Sequence, residues 1–248
     1  MNGLNRLPWG RRRLMPVGVL IQACMSTGSV PGLFNESVGG KTYLQHQLDR
    51  VLVAFDRQDT VVVTTEMPEN RVVVRLCDDL GIACYVGDRY DALGNCVKAA
   101  RKHGFRSVTI LRADCPLIDP VVMVQVMAEF LKLGKAGNYV GNRLRPTYPA
   151  GMEVEITGAD TLQEAFLEAR QWADFLDPTV LIRRGELARC RRVDVVQSVD
   201  QSRWRFRLDT EADHQRLSRL IGRVRRYCLE EVMAVAEAHG LLVADEVR

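Results

Sequence analysis

From Leu20 to Asn35 the chain LIQACMSTGSVPGLFN carries neither Lys nor Arg. Its small residues and glycines suit a cradle of backbone N–H groups, but any positive charge must come from elsewhere. Aromatic residues are scarce at 6%, so aliphatic side chains must fill the core. No charge sign dominates: 34 basic against 31 acidic residues leave a net charge of +3. That balance argues against nucleic-acid or membrane-surface partners. The seven cysteines include no CxxC pair. An odd, unpaired set reads as buried thiols in a reducing cytoplasm rather than a disulfide framework or a zinc site. No run approaches the roughly 18 apolar residues of a membrane span. RRRLMPVGVLIQAC loosely mimics a secretory or lipoprotein signal, yet Pro16 and Gly18 interrupt its apolar part and Gln22 precedes the Ala-Cys pair. The expectation is an interior strand at Val17–Ala23 and no cleavage.

What is present is strand–helix alternation. Apolar runs at 17–23, 59–65, 82–87 and 106–114 read as strands. Segments 42–55, 69–81, 89–104 and the stretch after Pro120 carry helical spacing, for instance Leu44, Leu48, Val51 and Phe55. Such alternation implies a sheet with parallel strands and crossover helices. Ligands then bind beyond the C-terminal strand ends, which places 22–32, 64–70, 86–91 and 112–119 on one rim. Beyond about residue 138 the pattern changes. Helices are expected at 159–176, 210–224 and 229–240, and strands at 189–198 and 203–209, the last alternating Trp204, Phe206 and Leu208. The organisation expected is an N-terminal extension over 1–16 and one domain over 17–248, with a substrate-covering segment at about 138–200.

The stretch LRADCPLIDP at 111–120 is the most informative. An apolar strand ends in Arg112 and Asp114, where a carboxylate is costly to bury unless paired. A second strand-like stretch, FRLDT, ends in Asp209. Two strand-end carboxylates can share one Mg²⁺ that bridges phosphate oxygens. The alternative is structural: Asp119 and Thr210 as helix caps, and Asp114 closing a turn.

These motifs together resemble the cytidylyltransferases of surface-polysaccharide pathways, in particular the spore-coat polysaccharide type, related to the acylneuraminate and 3-deoxy-manno-octulosonate cytidylyltransferases. Gln22, Ala23, Met25, Thr27, Pro31 and Gly32 follow the family's opening motif, and DCPLIDP matches its most specific one. NYVGN, TYPAGMEVEI and LDTEADHQRL are similar to its substrate and C-terminal acidic segments. The likeness spans about residues 17–222. It implies a nucleotide-diphospho-sugar transferase type, Rossmann-like mixed sheet flanked by helices. It implies transfer from a nucleoside triphosphate, CTP favoured, to a sugar-type acceptor, with Mg²⁺ as cofactor, pyrophosphate as product and a possible homodimer. By position, Gln22, Ala23, Met25, Ser26, Thr27, Gly28, Ser29, Gly32, Thr65 and Ala113 would bind the nucleotide. Asn142, Tyr148, Glu153 and Glu155 would lie near the acceptor. Asp114 and Asp209 would hold the metal, and Arg112 with Asp114 would act in catalysis.

The chain also departs from that pattern. Cys24, Ser29 and Leu33 stand where the family carries basic residues. Gly94-Asn95 replaces an Asp-Arg pair, a Glu-His pair is missing around Phe175–Asp177, and Arg112 replaces a small polar residue. Each lost charge-assisted contact is worth roughly 1.5–3 kcal/mol. Three readings follow. Arg112 or another basic residue supplies the charge, the donor differs from CTP, or the protein is a catalytically silent relative that binds a nucleotide or a partner enzyme. A metal-dependent glycosyltransferase on the same fold is the weaker alternative, because no D-x-D stands at a strand end.

Overall fold

The apolar run Val17–Gln22 forms strand β1, an interior strand with parallel neighbours on both sides. The computed structural model describes residues 17–24, 32–134 and 137–245. The first half follows the alternation in the sequence. A two-residue hairpin, β2 (Ser37–Val38) and β3 (Lys41–Thr42), leads into α1 (Tyr43–Ala54). Thr42 and Gln45 cap that helix reciprocally. Then come β4 (Thr60–Thr65), α2 (Arg71–Leu80), β5 (Ala83–Gly87), α3 (Ala92–Lys102), β6 (Ser107–Arg112) and α4 (Pro120–Leu133). The second half contributes β7 (Asn138–Gly141), β8 (Glu155–Gly158), α5 (Ala159–Glu168), α6 (Trp172–Leu176), α7 (Val180–Arg184), β9 (Arg191–Asp194), α8 (Glu211–Ile221) and α9 (Leu229–Ala238).

Seven strands form one mixed sheet in the order β5-β4-β1-β6-β8-β7-β9. β5, β4, β1 and β6 are parallel, whereas β8 runs antiparallel to both β6 and β7. The chain lays β4 on one side of β1 and β6 on the other, so the order reverses at β1. A crevice opens at such a switch point, beyond the carboxyl ends of the strands. Alternation along the buried strands sends side chains into two cores. Val19, Ile21, Val62 and Leu111 face α1, α2, α4, α8 and α9. Leu20, Val61, Val63 and Ile110 face α3, α5 and α7.

Two expectations need correction. The helix expected over 159–176 is two helices, because the Asp174 carboxylate accepts from the backbone N–H of Arg170 and Gln171 and starts α6 afresh. The segment 203–209 is extended but forms no ladder. It makes isolated bridges to Ala150 and Ala244, and Leu208 N–H donates to the Asp114 carbonyl at 2.8 Å. Its neighbours are a turn and a terminal segment, too short to carry strand pairing. Gly151 lets that turn come close: at φ +98 a Cβ there would lie 2.8 Å from the Phe206 carbonyl carbon.

Asp119 shows that a motif residue can be structural. One carboxylate oxygen accepts from Val121 N–H at the start of α4, and the other from Leu229 N–H at the start of α9, at 2.6 and 2.7 Å. A single side chain therefore caps two helices 110 positions apart.

Candidate functional site

Past the ends of β1, β4 and β6 the backbone stays linked. Ala23 N–H donates to the Val63 carbonyl, and Ala113 N–H to the Gln22 carbonyl, at 2.8 and 2.9 Å. These links form the floor of a cleft of about 290 Å³. Gln22, Ala23, Thr65, Arg112, Ala113, Asp114, Glu153, Glu155 and Asp209 all line it. The structure thus gathers residues remote in the chain, from Gln22 to Asp209, out of strand ends, a turn and the extended 203–209 segment. Met25, Ser26, Thr27, Gly28 and Ser29 lie outside the described residues. Gly32 is buried at φ 79 and turns the chain into a short 3-10 turn, while its neighbours Leu33 and Phe34 reach the cleft.

Asn142 and Tyr148 sit apart from this cleft. Both line a smaller hollow of about 160 Å³, which shares Arg143, Glu153 and Arg207 with the larger one. The Asn142 amide is bound at both ends, donating to the Met152 carbonyl and accepting from Val154 N–H, at 2.8 and 2.9 Å. It holds the turn that presents Glu153. Tyr148 donates to Gln125 at 3.3 Å.

Charge in the cleft is arranged in pairs. Arg112 grips Asp114 with Nε, 3.0 and 3.2 Å from the two carboxylate oxygens, and with Nη2. The Asp114 charge raises the Arg112 pKa further above its usual value. Arg143 pairs with Glu155 at 2.8 Å and Arg207 with Glu153 at 3.5 Å. Glu155 is saturated: Tyr139, Thr179 and Arg183 also donate to it, at 2.8, 2.7 and 3.1 Å. Arg183 binds Asp177 as well. Burial pushes the Asp177 carboxyl up, but the Arg183 hydrogen bond and the Arg183 and Arg143 charges outweigh it and hold the pKa down at about 2. Cys115 lies at the base of the site, and burial raises its thiol far above the ordinary range, as do the Asp114 and Glu153 charges.

Four arginines, at 89, 112, 143 and 207, face six carboxylates, at 88, 114, 153, 155, 177 and 209. The lining is acidic, so a polyanion needs a cation to enter. Asp114 and Asp209 are hard oxygen donors, which suits a divalent ion of the magnesium kind. Among the described residues no group of three His, Cys, Asp or Glu side chains could hold a metal ion. Asp209 is steadied by Arg205 at 3.3 Å and by its own N–H donating to Asp213.

The sequence did not single out Arg89, Arg143, Asp88 or Arg207 for the site. Asp88 and Arg89 fall in the 86–91 stretch expected on the rim, just after β5, whereas only the fold brings Arg143, after β7, and Arg207, beside the 149–152 turn, to the cleft. The apolar residues of the stretch 172–182 divide: Leu181 and Ile182 are buried, whereas Trp172 and Leu176 are exposed.

No protein-family profile matches the sequence. An uncharacterized protein of Methanocaldococcus jannaschii is 24% identical over 134 residues, 54% of this chain and 53% of that one. The chain therefore spans about half the length of the curated relative it matches. Among solved structures, a cytidylyltransferase from Leptospira borgpetersenii superposes with a TM-score of 0.86 at 21% identity, covering 94% of this chain and 99% of that one. A CMP:2-keto-3-deoxy-manno-octonic acid synthetase complexed with CTP gives a TM-score of 0.60 at 14% identity, with 83% and 98% covered. The fold expected from the sequence is the fold observed: a mixed α/β sheet flanked by helices, shared with these nucleotidyltransferases. Among the described residues no helix is long and apolar enough to cross a membrane.

Proposed function

We propose that the protein is a nucleotidyltransferase, CTP favoured, that activates a sugar, sugar acid or sugar phosphate for surface-glycan biosynthesis and releases pyrophosphate. The observation that carries this reading is that Asp114, Asp209 and Arg112 all line one cleft at the switch point of the sheet. The fold shared with a CTP-bound synthetase and the motifs in the sequence support it.

In this reading the nucleotide lies along the ends of β1, β4 and β6, against Gln22, Ala23, Thr65 and Ala113. The acceptor lies towards Glu153 and Glu155. Its hydroxyl oxygen bonds to the α-phosphorus, the bond to the β-phosphate oxygen breaks, and pyrophosphate departs as the hydroxyl loses its proton. A divalent ion held by Asp114 and Asp209 would neutralise phosphate charge. Glu155 orients Arg143 and Arg183 rather than taking a proton, because its donors already occupy it. Arg112 exchanges Asp114 for phosphate when the nucleotide arrives. Its planar fork suits both partners.

The test is calorimetry against all four nucleoside triphosphates with and without Mg²⁺, followed by a pyrophosphate-release assay with sugar-type acceptors. The expected result is Mg²⁺-dependent binding, tightest for CTP. Binding of no triphosphate would sink the reading. At saturating Mg²⁺, Arg112→Ala should weaken triphosphate binding by about 1.5–3 kcal/mol, the range for a charged hydrogen bond. Unchanged affinity would leave Arg112 as the partner of Asp114 alone. The pairing of Arg112 with Asp114 also favours a second reading, a silent relative that binds nucleotide without turnover. The release assay separates the two.

A further inference from the structure

Three of the four cleft arginines are committed to carboxylates: Arg112 to Asp114, Arg143 to Glu155 and Arg207 to Glu153. An anion that takes the same N–H groups weakens the contact to the carboxylate. Arg89 differs. Its guanidinium lies over the Tyr90 ring, 5.1 Å from the centroid, and Nη1 comes within 3.8 Å of the Met67 sulfur. Among the described residues no carboxylate pairs with it.

The loop that carries Arg89 is fixed from three directions. Asn95, 2% exposed, reaches back from the first turn of α3 and clamps Asp88. Its amide nitrogen donates to the Asp88 carbonyl at 2.7 Å, and its amide oxygen accepts from Asp88 N–H at 2.9 Å. Asp88 accepts from Tyr90 N–H at 2.6 Å, which turns the chain around Arg89. Asp91 caps α3 through Gly94 N–H at 2.7 Å. Gly87 makes the clamp possible, since a Cβ there would lie 2.0 Å from the Asn95 amide oxygen. A backbone this constrained presents its side chain at low ordering cost.

We propose that Arg89 binds the polyphosphate of the nucleotide, supplying from the β5–α3 loop the positive charge that the stretch from Leu20 to Asn35 lacks. The inference rests on the nucleotidyltransferase reading and names a binding residue within it. Arg89 breaks no ion pair on binding, so the full charge-assisted contact counts towards affinity. Contact with the ring and a weak contact to the Met67 sulfur leave its other N–H groups available.

The experiment compares the wild-type chain with Arg89→Ala and Arg89→Lys. Affinity for CTP with Mg²⁺ is read by calorimetry, and affinity for cytidine, which has no phosphate, by NMR titration. Arg89→Ala should weaken CTP about 10- to 100-fold and leave cytidine unchanged. Arg89→Lys should recover part of the loss, and the salt dependence of CTP binding should become shallower in Arg89→Ala. An unchanged CTP affinity, or an equal loss for CTP and cytidine, would overturn the proposal while wild-type CTP binding upheld the wider reading. A wild-type chain that bound no triphosphate would take down both. Melting temperature serves as the check on folding, and a large fall in Arg89→Ala would assign the residue to the loop rather than to phosphate.

Discussion

Replacing Asp114 by Asn should lower Mg²⁺-dependent turnover by about a thousandfold, or about 4 kcal/mol of barrier, on the proposed function. The substitution keeps the shape of the side chain. It also keeps the backbone carbonyl that accepts from Leu208 N–H, so the 203–209 segment and Asp209 stay in place. What changes is charge. A metal held as proposed would lose one of its two protein carboxylates, and Arg112 loses the anion that now holds it. These two losses act in opposite directions on nucleotide binding. Without metal, the freed guanidinium should bind the triphosphate as tightly as the wild type or more tightly. With metal, turnover should collapse. Calorimetry without Mg²⁺ and a pyrophosphate-release assay with Mg²⁺ read the two effects separately. Undiminished turnover would exclude Asp114 as a metal ligand, and a parallel loss of metal-free binding would make it a structural residue.

The second large effect concerns Asp213, which lies behind the site. Its carboxylate is 7% exposed and stands between Arg205 at 2.8 Å and Arg216 at 2.9 Å, themselves 11% and 8% exposed. It also accepts from Thr210 N–H and hydroxyl and from Asp209 N–H. Asp213→Ala leaves two arginines buried without this partner, and removing one member of such a cluster typically costs about 3–5 kcal/mol. Urea unfolding should show that loss as a lower midpoint with little change in slope. Acid sensitivity should follow. Burial alone would raise the Asp213 pKa, but the hydrogen bonds from Arg216 and Thr210 and the Arg205 charge outweigh it and hold it below the ordinary carboxylate value. Its stabilisation is therefore complete above the unfolded pKa of about 3.9 and is lost as pH falls through the folded one. Asp213→Asn should keep much of the geometry and flatten that acid limb. An unchanged acid limb would show that Asp213 contributes no charge-dependent stability.

The two residues also show how structure and site are joined. Asp213 accepts from the backbone N–H of Asp209, so the buried cluster aims a cleft carboxylate. Within the motif LDTEADHQRL, one aspartate faces the cleft and the other holds it there. Likewise, of the two aspartates in DCPLIDP, Asp114 lines the cleft and Asp119 caps two helices. A sequence pattern marks both kinds of aspartate alike.

Local pattern alone settles the parallel half of the sheet and its rim. Val17–Gln22, Thr60–Thr65 and Ser107–Arg112 are buried along their length but for their ends, so their apolar runs are legible without knowledge of partners. Helices such as Tyr43–Ala54 announce themselves by local spacing and caps. Because ligand sites follow strand ends, Gln22, Thr65 and Asp114 could be placed from these local periods alone. Long-range packing set the rest. It put β8 antiparallel beside β6, which brings Glu153 and Glu155 to the cleft. It held 203–209 in place by single bridges, a pairing too sparse to leave a periodic signal. Above all it determined which arginines are taken up by carboxylates and which is not. Charge pairing depends on distances between side chains remote in sequence, and a Coulomb energy that varies with separation and burial has no period along the chain.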